Sequence, residues 1–368
     1  MARATEHRCS QLADMSSALG FYRSTNTRFP TARRPLGMHA ALAASWPHIE
    51  GWVPNARRDE ILALSCRLPA LWRWGVLELR LAEDDDRVDL MACACDVEHD
   101  RSDMREHLDL EVLGTGARML NAWSGKPSWR KIPVVWLEWD LPLVGRRSTL
   151  SFACVDSSLL HRGAPVPSRA EQLLLVDEVL RVAVTGRSEQ ARLLRGIARC
   201  VTCLPPAARL VHIGPLAPRD EDGCRLVINI GASELLVWLR AIRWPGDLAA
   251  VERWSRAISS AEQRFLIHCD VTDAPRPYLA LETGMSRART DHEAKFVRDL
   301  DELGLAKPDR IQRALNWPGR DPESTSNTES ASVINRSTYF KLGFLRDGRL
   351  EAKAYLGFHF AESDSSSA

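Results

Sequence analysis

The sequence predicts an α+β fold: a ten-stranded antiparallel β-barrel of repeated helix–hairpin units, with the helices outside. Three observations carry the prediction. Alternating strand patterns recur in turn-linked pairs along the chain, and helical patterns fill the intervals between them. Each unit thus supplies two strands, unlike the eightfold parallel barrel, where it supplies one. Within each pair one face is apolar and the other mixes charged, aromatic and polar residues. If helices coat the apolar face, the other face lines a lumen. Eight strands leave a lumen that side chains just fill, and ten leave room for a ligand.

Taken in order, residues 1–34 are rich in Arg, Ser and Thr without a sustained period, and read as a mobile arm. Residues 35–360 read as a single barrel domain. Helical patterns at Gly37–Ala44 and Asp59–Trp72 precede the first hairpin, Gly75–Leu81 with Val88–Cys95 across an acidic turn. A helix over Val112–Trp123 leads to the second hairpin, Val134–Asp140 with Thr149–Val155. Ser168 and Glu171 form a capping box opening an apolar helical run, and Ser188 reads as the cap of the next helix. Pro205 and Pro206 stop that helix before the third hairpin, Arg209–Leu216 with Arg225–Ile230. Helices Glu234–Ile242 and Leu248–Ser259 precede the fourth, Leu266–Val271 with Tyr278–Thr283. A capping box at Thr290 and Glu293 opens a helix ending at Gly304, and Pro308 starts another through Trp317. Residues 320–336 have almost no apolar content and read as a disordered loop. Tyr339–Phe344 and Glu351–Phe358 close the barrel around an Asp347-Gly348 turn, and residues 361–368 form a disordered tail. A sequence echo supports the repeat: Ala241-Ile-Arg-Trp-Pro-Gly246 matches Ala314-Leu-Asn-Trp-Pro-Gly319 at equivalent helix ends.

Bulk properties exclude several functions. The net charge of +1 gives no global field to recruit nucleic acid or an anionic membrane. No apolar run approaches the roughly 20 residues of a membrane span. No apolar h-region follows the basic N-terminus, and nine cysteines, an odd number, suggest reduced thiols in a cytoplasmic protein. Phosphate-binding, dinucleotide, zinc-protease and nucleophile-elbow motifs are all absent. Asp85-Asp86-Arg-Val-Asp89 matches an Asp-x-x-Asp diphosphate motif only as letters, because it falls in a turn rather than on a helical face. Cys200 and Cys203 have metal-site spacing without further ligands, so no metal site is predicted.

The alternation sends Glu78 and Arg80 inward from the first strand, opposite Leu77, Leu79 and Leu81. The third hairpin sends His212, Arg225 and Asn229 inward, opposite Val211, Ile213, Leu226, Ile228 and Ile230. In the fourth the inward set is either His268 and Asp270 or Tyr278 and Glu282. The fifth contributes Tyr339, Lys341, Lys353 and Tyr355. Arg80, Arg225, Lys341 and Lys353 exceed the acids read beside them, and enclosed cations need partners, so the pattern predicts a missing anion. Solvated strand faces are the ordinary reading of Glu78 and the lysines, and structural hydrogen bonding that of His212 and His268.

This layout resembles the ABBA or PT-barrel prenyltransferases, with the fungal indole and cyanobactin peptide enzymes closest in organisation. Val76-Leu77-Glu78-Leu79-Arg80 is similar to the family's early strand, and Lys353-Ala-Tyr355 to its Lys-x-Tyr strands. The resemblance implies transfer of an isoprenyl group from an allylic diphosphate to a small aromatic or peptide acceptor in natural-product biosynthesis. It implies Glu78 as the base that takes the acceptor's proton. Arg80, Arg225, Lys341, Lys353, Tyr355 and Tyr339 would hold the diphosphate, with His212, Asn229, His268 and Trp136 lining the acceptor space. No tightly bound cofactor is implied; Mg2+ dependence stays open. The family shields its allyl cation with several tyrosines, whereas this chain has four, so Trp136, Trp139 or Phe344 would supply π-faces. The alternative expectation is a non-catalytic barrel that binds an anionic ligand or peptide as a maturation partner.

Overall fold

A computed structural model describes residues 38–68, 72–82, 87–95, 113, 116–142, 149–156, 167–219, 221–258, 264–284, 291–322 and 332–362. The predicted arm at 1–34 and the centre of the predicted loop, 323–331, lie outside these. The strands are β1 Trp72–Arg80, β2 Val88–Cys95, β3 Val134–Leu141, β4 Thr149–Cys154, β5 Arg209–Pro215 and β6 Cys224–Gly231. They continue as β7 Arg264–Val271, β8 Pro275–Gly284, β9 Gly319–Pro322, β10 Ser332–Phe344 and β11 Leu350–Glu362. Neighbours in sequence pair antiparallel from β1 to β8, β8 pairs with β10, β10 with β11, and β11 returns to β1. The sheet is therefore a closed ten-stranded antiparallel barrel, and closure leaves it no long free edge. Among the described residues, the short β9 pairs only with Val333–Arg336 of β10. Both ends of the stretch predicted as a disordered loop thus carry strand, and β11 runs into the predicted tail as far as Glu362.

The helices are α1 Met38–Ser45, α2 Asn55–Cys66, α3 Gly116–Gly125, α4 Arg169–Ala183, α5 Arg187–Thr202, α6 Ala232–Ala241, α7 Leu248–Ile258, α8 Asp291–Glu302 and α9 Pro308–Asn316. The predicted capping box opens α4: Ser168 caps the Glu171 backbone, and Glu171 accepts from the Ser168 amide at 2.8 Å. Ser188 is not the cap of α5, which Gly186 opens at φ +107°. The repeated Trp-Pro-Gly sequences follow α6 and α9, and both tryptophans are buried. Trp317 donates through its indole nitrogen to the Gly357 carbonyl of β11 at 3.0 Å, tying a unit's end to the barrel wall.

Two apolar clusters follow from strand alternation. The larger joins helix residues such as Ile197, Trp238 and Phe296 to the outward Leu77, Leu90, Ile228 and Leu342. The smaller lies inside the barrel and includes Val76, Trp136, Phe152, Leu266, Tyr339 and Tyr355. Val211, expected to face outward, packs in the inner cluster, because the β5–β6 register shifts between Leu210 and His212. A bulge of this kind re-aims one side chain. Helix and barrel approach closely at Gly196 of α5, where an added Cβ would lie 2.0 Å from the Thr272 carbonyl oxygen. Backbone cannot swing aside as a side chain does, so Gly196→Ala is expected to destabilise the fold by about 3 kcal/mol. A lower urea midpoint at unchanged m value is the check. None of the described helices is long and apolar enough to cross a membrane.

Candidate active site in the barrel lumen

The lumen contains a cavity with about 710 Å3 of non-atom space, part of it open to solvent. Its apolar wall includes Val76, Phe152, Val227, Leu266 and Trp136, whose ring stacks on Trp74 at 6.5 Å between centroids. Its polar wall comprises Glu138, His212, Arg225, His268, Glu282, Tyr339, Lys341 and Tyr355.

Strand register explains how these groups meet. Lys341 of β10 lies between Glu282 of β8 and Lys353 of β11, and Tyr339 lies opposite Tyr355. Both alternatives for the fourth hairpin are realised at once. His268 and Asp270 face inward from β7, Glu282 and Tyr278 from β8, and the Arg225 guanidinium lies 4.2 Å from the Tyr278 ring centroid. Of the aromatic residues expected to shield a cation, only Trp136 lines the cavity. Trp139 and Phe344 have the opposite strand parity and pack in the outer core. Asn229 is buried away from the cavity wall and accepts from Arg264 at 2.5 Å.

Among the described residues, the predicted surplus of cations is not present. Lys353 contacts Glu78 at 2.6 Å and Glu351 at 3.2 Å, and Arg80 contacts Asp89 at 2.9 Å. Arg225 donates twice to Asp270, at 2.8 and 3.1 Å. Arg219 closes over Asp140 and Glu138, each at 2.5 Å. Of the balancing acids, the strand alternation assigns Glu78 inward and offers Asp270 as one alternative, but it does not assign Glu351, Glu138, Asp140 or Asp89. Asp89 is not part of a solvated turn; it is buried on β2 against Arg80. Residues 83–86, the rest of the acidic run, lie outside the described residues.

Lys341 is held differently. Its ammonium donates to the neutral Tyr355 hydroxyl at 2.6 Å, whereas its carboxylate contact, to Glu78, is at 3.8 Å. Glu78 itself lies behind the cavity wall. Burial alone would raise its carboxyl, but Lys353, Lys341 and Arg80 outweigh that and hold it well below the usual range. Burial pushes Asp89 the other way, to about 8, against Arg80 and with Glu78 adding to the rise. Burial also pushes Glu282 up to about 7, opposed by Lys341, and His212 down to about 3. Glu78, Asp89 and Glu138 place carboxylate oxygens within 4.8 Å of one another, but Lys353, Arg80 and Arg219 already neutralise them.

No family model matches the chain, and no curated protein matches it. Solved structures do. The 5-dimethylallyltryptophan synthase from Streptomyces coelicolor superposes with a TM-score of 0.50 at 12% identity, over 86% of this chain and 95% of that one. Prenyltransferase PriB in its apo form gives 0.50 at 13% identity, over 86% and 94%. The chain has the PT-barrel fold. The PT barrel here keeps the lumen of such a fold but neutralises most of its cations internally. Sequence reasoning missed Glu138, Glu282 as the partner of His268, and Arg219. The first two carry the same period-two signal as Glu78; Arg219 sits in a short turn segment, Ala217–Arg219, that has no period to read.

Proposed function

We propose that the chain is a prenyltransferase that moves an isoprenyl group from an allylic diphosphate to an aromatic or peptide side-chain acceptor. The observation carrying this reading is Lys341: a buried ammonium on the cavity wall, anchored by a neutral hydroxyl and flanked by aromatic rings. An incoming diphosphate gains this cation without first breaking a short ion pair, and Arg225 and the Tyr339 hydroxyl are further wall groups able to contact it. Loss of diphosphate places negative charge where fixed cations stabilise it. Trp136, Phe152, Tyr339 and Tyr355 offer π-faces to the allyl cation and exclude water. The prenyltransferase names of the two similar structures support the same chemistry. Glu78, clamped by two lysines, acts in this reading by fixing Lys353 and Lys341. Mg2+ would assist by entering with the diphosphate.

Calorimetry with dimethylallyl and geranyl diphosphate, using pyrophosphate as control, tests the proposal. Micromolar binding of the allylic diphosphates that exceeds pyrophosphate is expected, with the difference due to the apolar wall. Failure of every diphosphate to bind removes the transferase reading. The dense carboxylate pairing of Arg80, Arg225 and Lys353 favours a second reading, a non-catalytic barrel that binds a peptide. Peptide binding without diphosphate binding would select it.

A further inference from the structure

The cavity wall carries one titratable pair that the proposed diphosphate chemistry does not use. His268 on β7 and Glu282 on β8 meet through Nε2 and Oε2 at 2.9 Å, and both side chains line the cavity. Glu282 lies opposite Leu266 in the ladder, and the residue opposite His268 is Ala280. Its methyl leaves space for the imidazole to lean along the strand to Glu282. His268 Nδ1 is buried and makes no hydrogen bond among the described residues. With the Nε2–H donated to the Glu282 carboxylate, Nδ1 presents a bare lone pair. A carboxylate that fixes a histidine tautomer in this way prepares the other nitrogen as a base.

We propose that His268, oriented by Glu282, is the group that takes the proton from the acceptor during prenyl transfer. This rests on the transferase reading and deepens it. In the step, the bond between C1 of the allylic group and the diphosphate oxygen breaks, and its electron pair leaves with the diphosphate. The acceptor atom forms the new bond to C1 and then releases one proton. That proton passes to His268 Nδ1, the Glu282 carboxylate balances the imidazolium, and solvent later removes it. An acceptor already joined to the allyl cation is strongly acidic, so placement and a vacant lone pair matter more than basicity. Glu78 lacks the placement, since it does not line the cavity and its carboxylate sits between the Lys353 and Lys341 ammonium groups at 2.6 and 3.8 Å.

The surroundings fix the charge state of the pair. Lys341 faces it from β10, Arg225 from β6, His212 from β5 and Glu78 from β1, with the Tyr339 and Tyr355 hydroxyls nearby. Asp270, next along β7, is engaged by Arg225. Burial, then Lys341 and Arg225, hold His268 well below its usual value, so the imidazole is neutral before reaction. Glu282, pushed up by burial to about 7, completes ionisation only above that pH.

Nitrogen NMR of the full chain labelled in histidine tests the pair without an acceptor. The expected His268 signal is a neutral ring with Nε2 protonated and Nδ1 bare, showing a step near pH 7 that Glu282→Gln abolishes. A proton on Nδ1, or a step that survives Glu282→Gln, overturns the proposal. Should that variant fail to fold, the wild-type tautomer decides. With an acceptor found by screening indole, phenol and peptide substrates, kcat should rise through the same inflection. Glu282→Gln should lower the plateau about 100-fold while the KM for dimethylallyl diphosphate stays within about threefold. An unchanged plateau overturns the base assignment. Absent diphosphate binding removes the transferase reading instead, and leaves the NMR result standing.

Discussion

Lys341→Met is expected to abolish micromolar binding of dimethylallyl diphosphate and to slow transfer about 100- to 1,000-fold, the scale of removing one preorganised group at developing charge. Methionine keeps most of the volume of the side chain, so the cavity shape survives while the ammonium is lost. The other cations do not substitute, because Arg225 is held by Asp270 and Lys353 by Glu78 at ion-pair distances. Two changes elsewhere follow from the same deletion. The Tyr355 hydroxyl loses its 2.6 Å donor. Glu282 loses the ammonium that opposes its burial, so its carboxyl moves further above about 7 and stays protonated over more of the neutral range. Calorimetry and single-turnover rates are the checks. Retention of both affinity and rate would show that the diphosphate, if it binds, uses other groups.

Neutralisation of the other lumen cations bears on how such a site binds its anion. A diphosphate inserted near Arg225 competes with a two-point carboxylate pair. At Lys341 it competes with a hydroxyl. Raising ionic strength is therefore expected to weaken binding only modestly, because buried pairs are screened less than exposed charges.

Much of this was legible in the sequence because closed antiparallel barrels impose strict alternation. Phe340, Leu342 and Ala354 had to face helices, and Lys341 and Tyr355 therefore the lumen. Alternation states which face a residue occupies, not which residue it meets. The partners of Arg80 and Arg225 depend on strand register, which is set by side-chain packing across the barrel, so Asp89 and Asp270 were not recognised as their counterions. Parity was also enough to exclude Trp139 from the lumen, since Trp136 and Trp139 cannot share a face. Two features broke the period itself. The bulge at Val211 reversed one side chain, and β9 arose in a polar stretch that offers no alternation to read.

Asp270→Ala is expected to destabilise the protein by about 3–5 kcal/mol, the typical result of removing one partner of a buried ion pair. The carboxylate is almost completely buried and receives both the Nε and a terminal nitrogen of Arg225. Arg346, from the β10–β11 turn, approaches the same carboxylate at 3.5 Å and Glu221 at 2.6 Å. Without Asp270 the Arg225 guanidinium keeps its contact with the Tyr278 ring, but a ring face cannot replace two charge-assisted hydrogen bonds. Removing both charges should cost less than removing one, because the desolvation penalty disappears with the pair. Arg225→Met combined with Asp270→Leu is therefore expected to recover at least half of the loss in urea unfolding. Simple additivity of the two single losses would mean the pair is not coupled. The double variant also separates fold from function, since a folded barrel lacking Arg225 reports directly whether Lys341 alone suffices to hold a diphosphate.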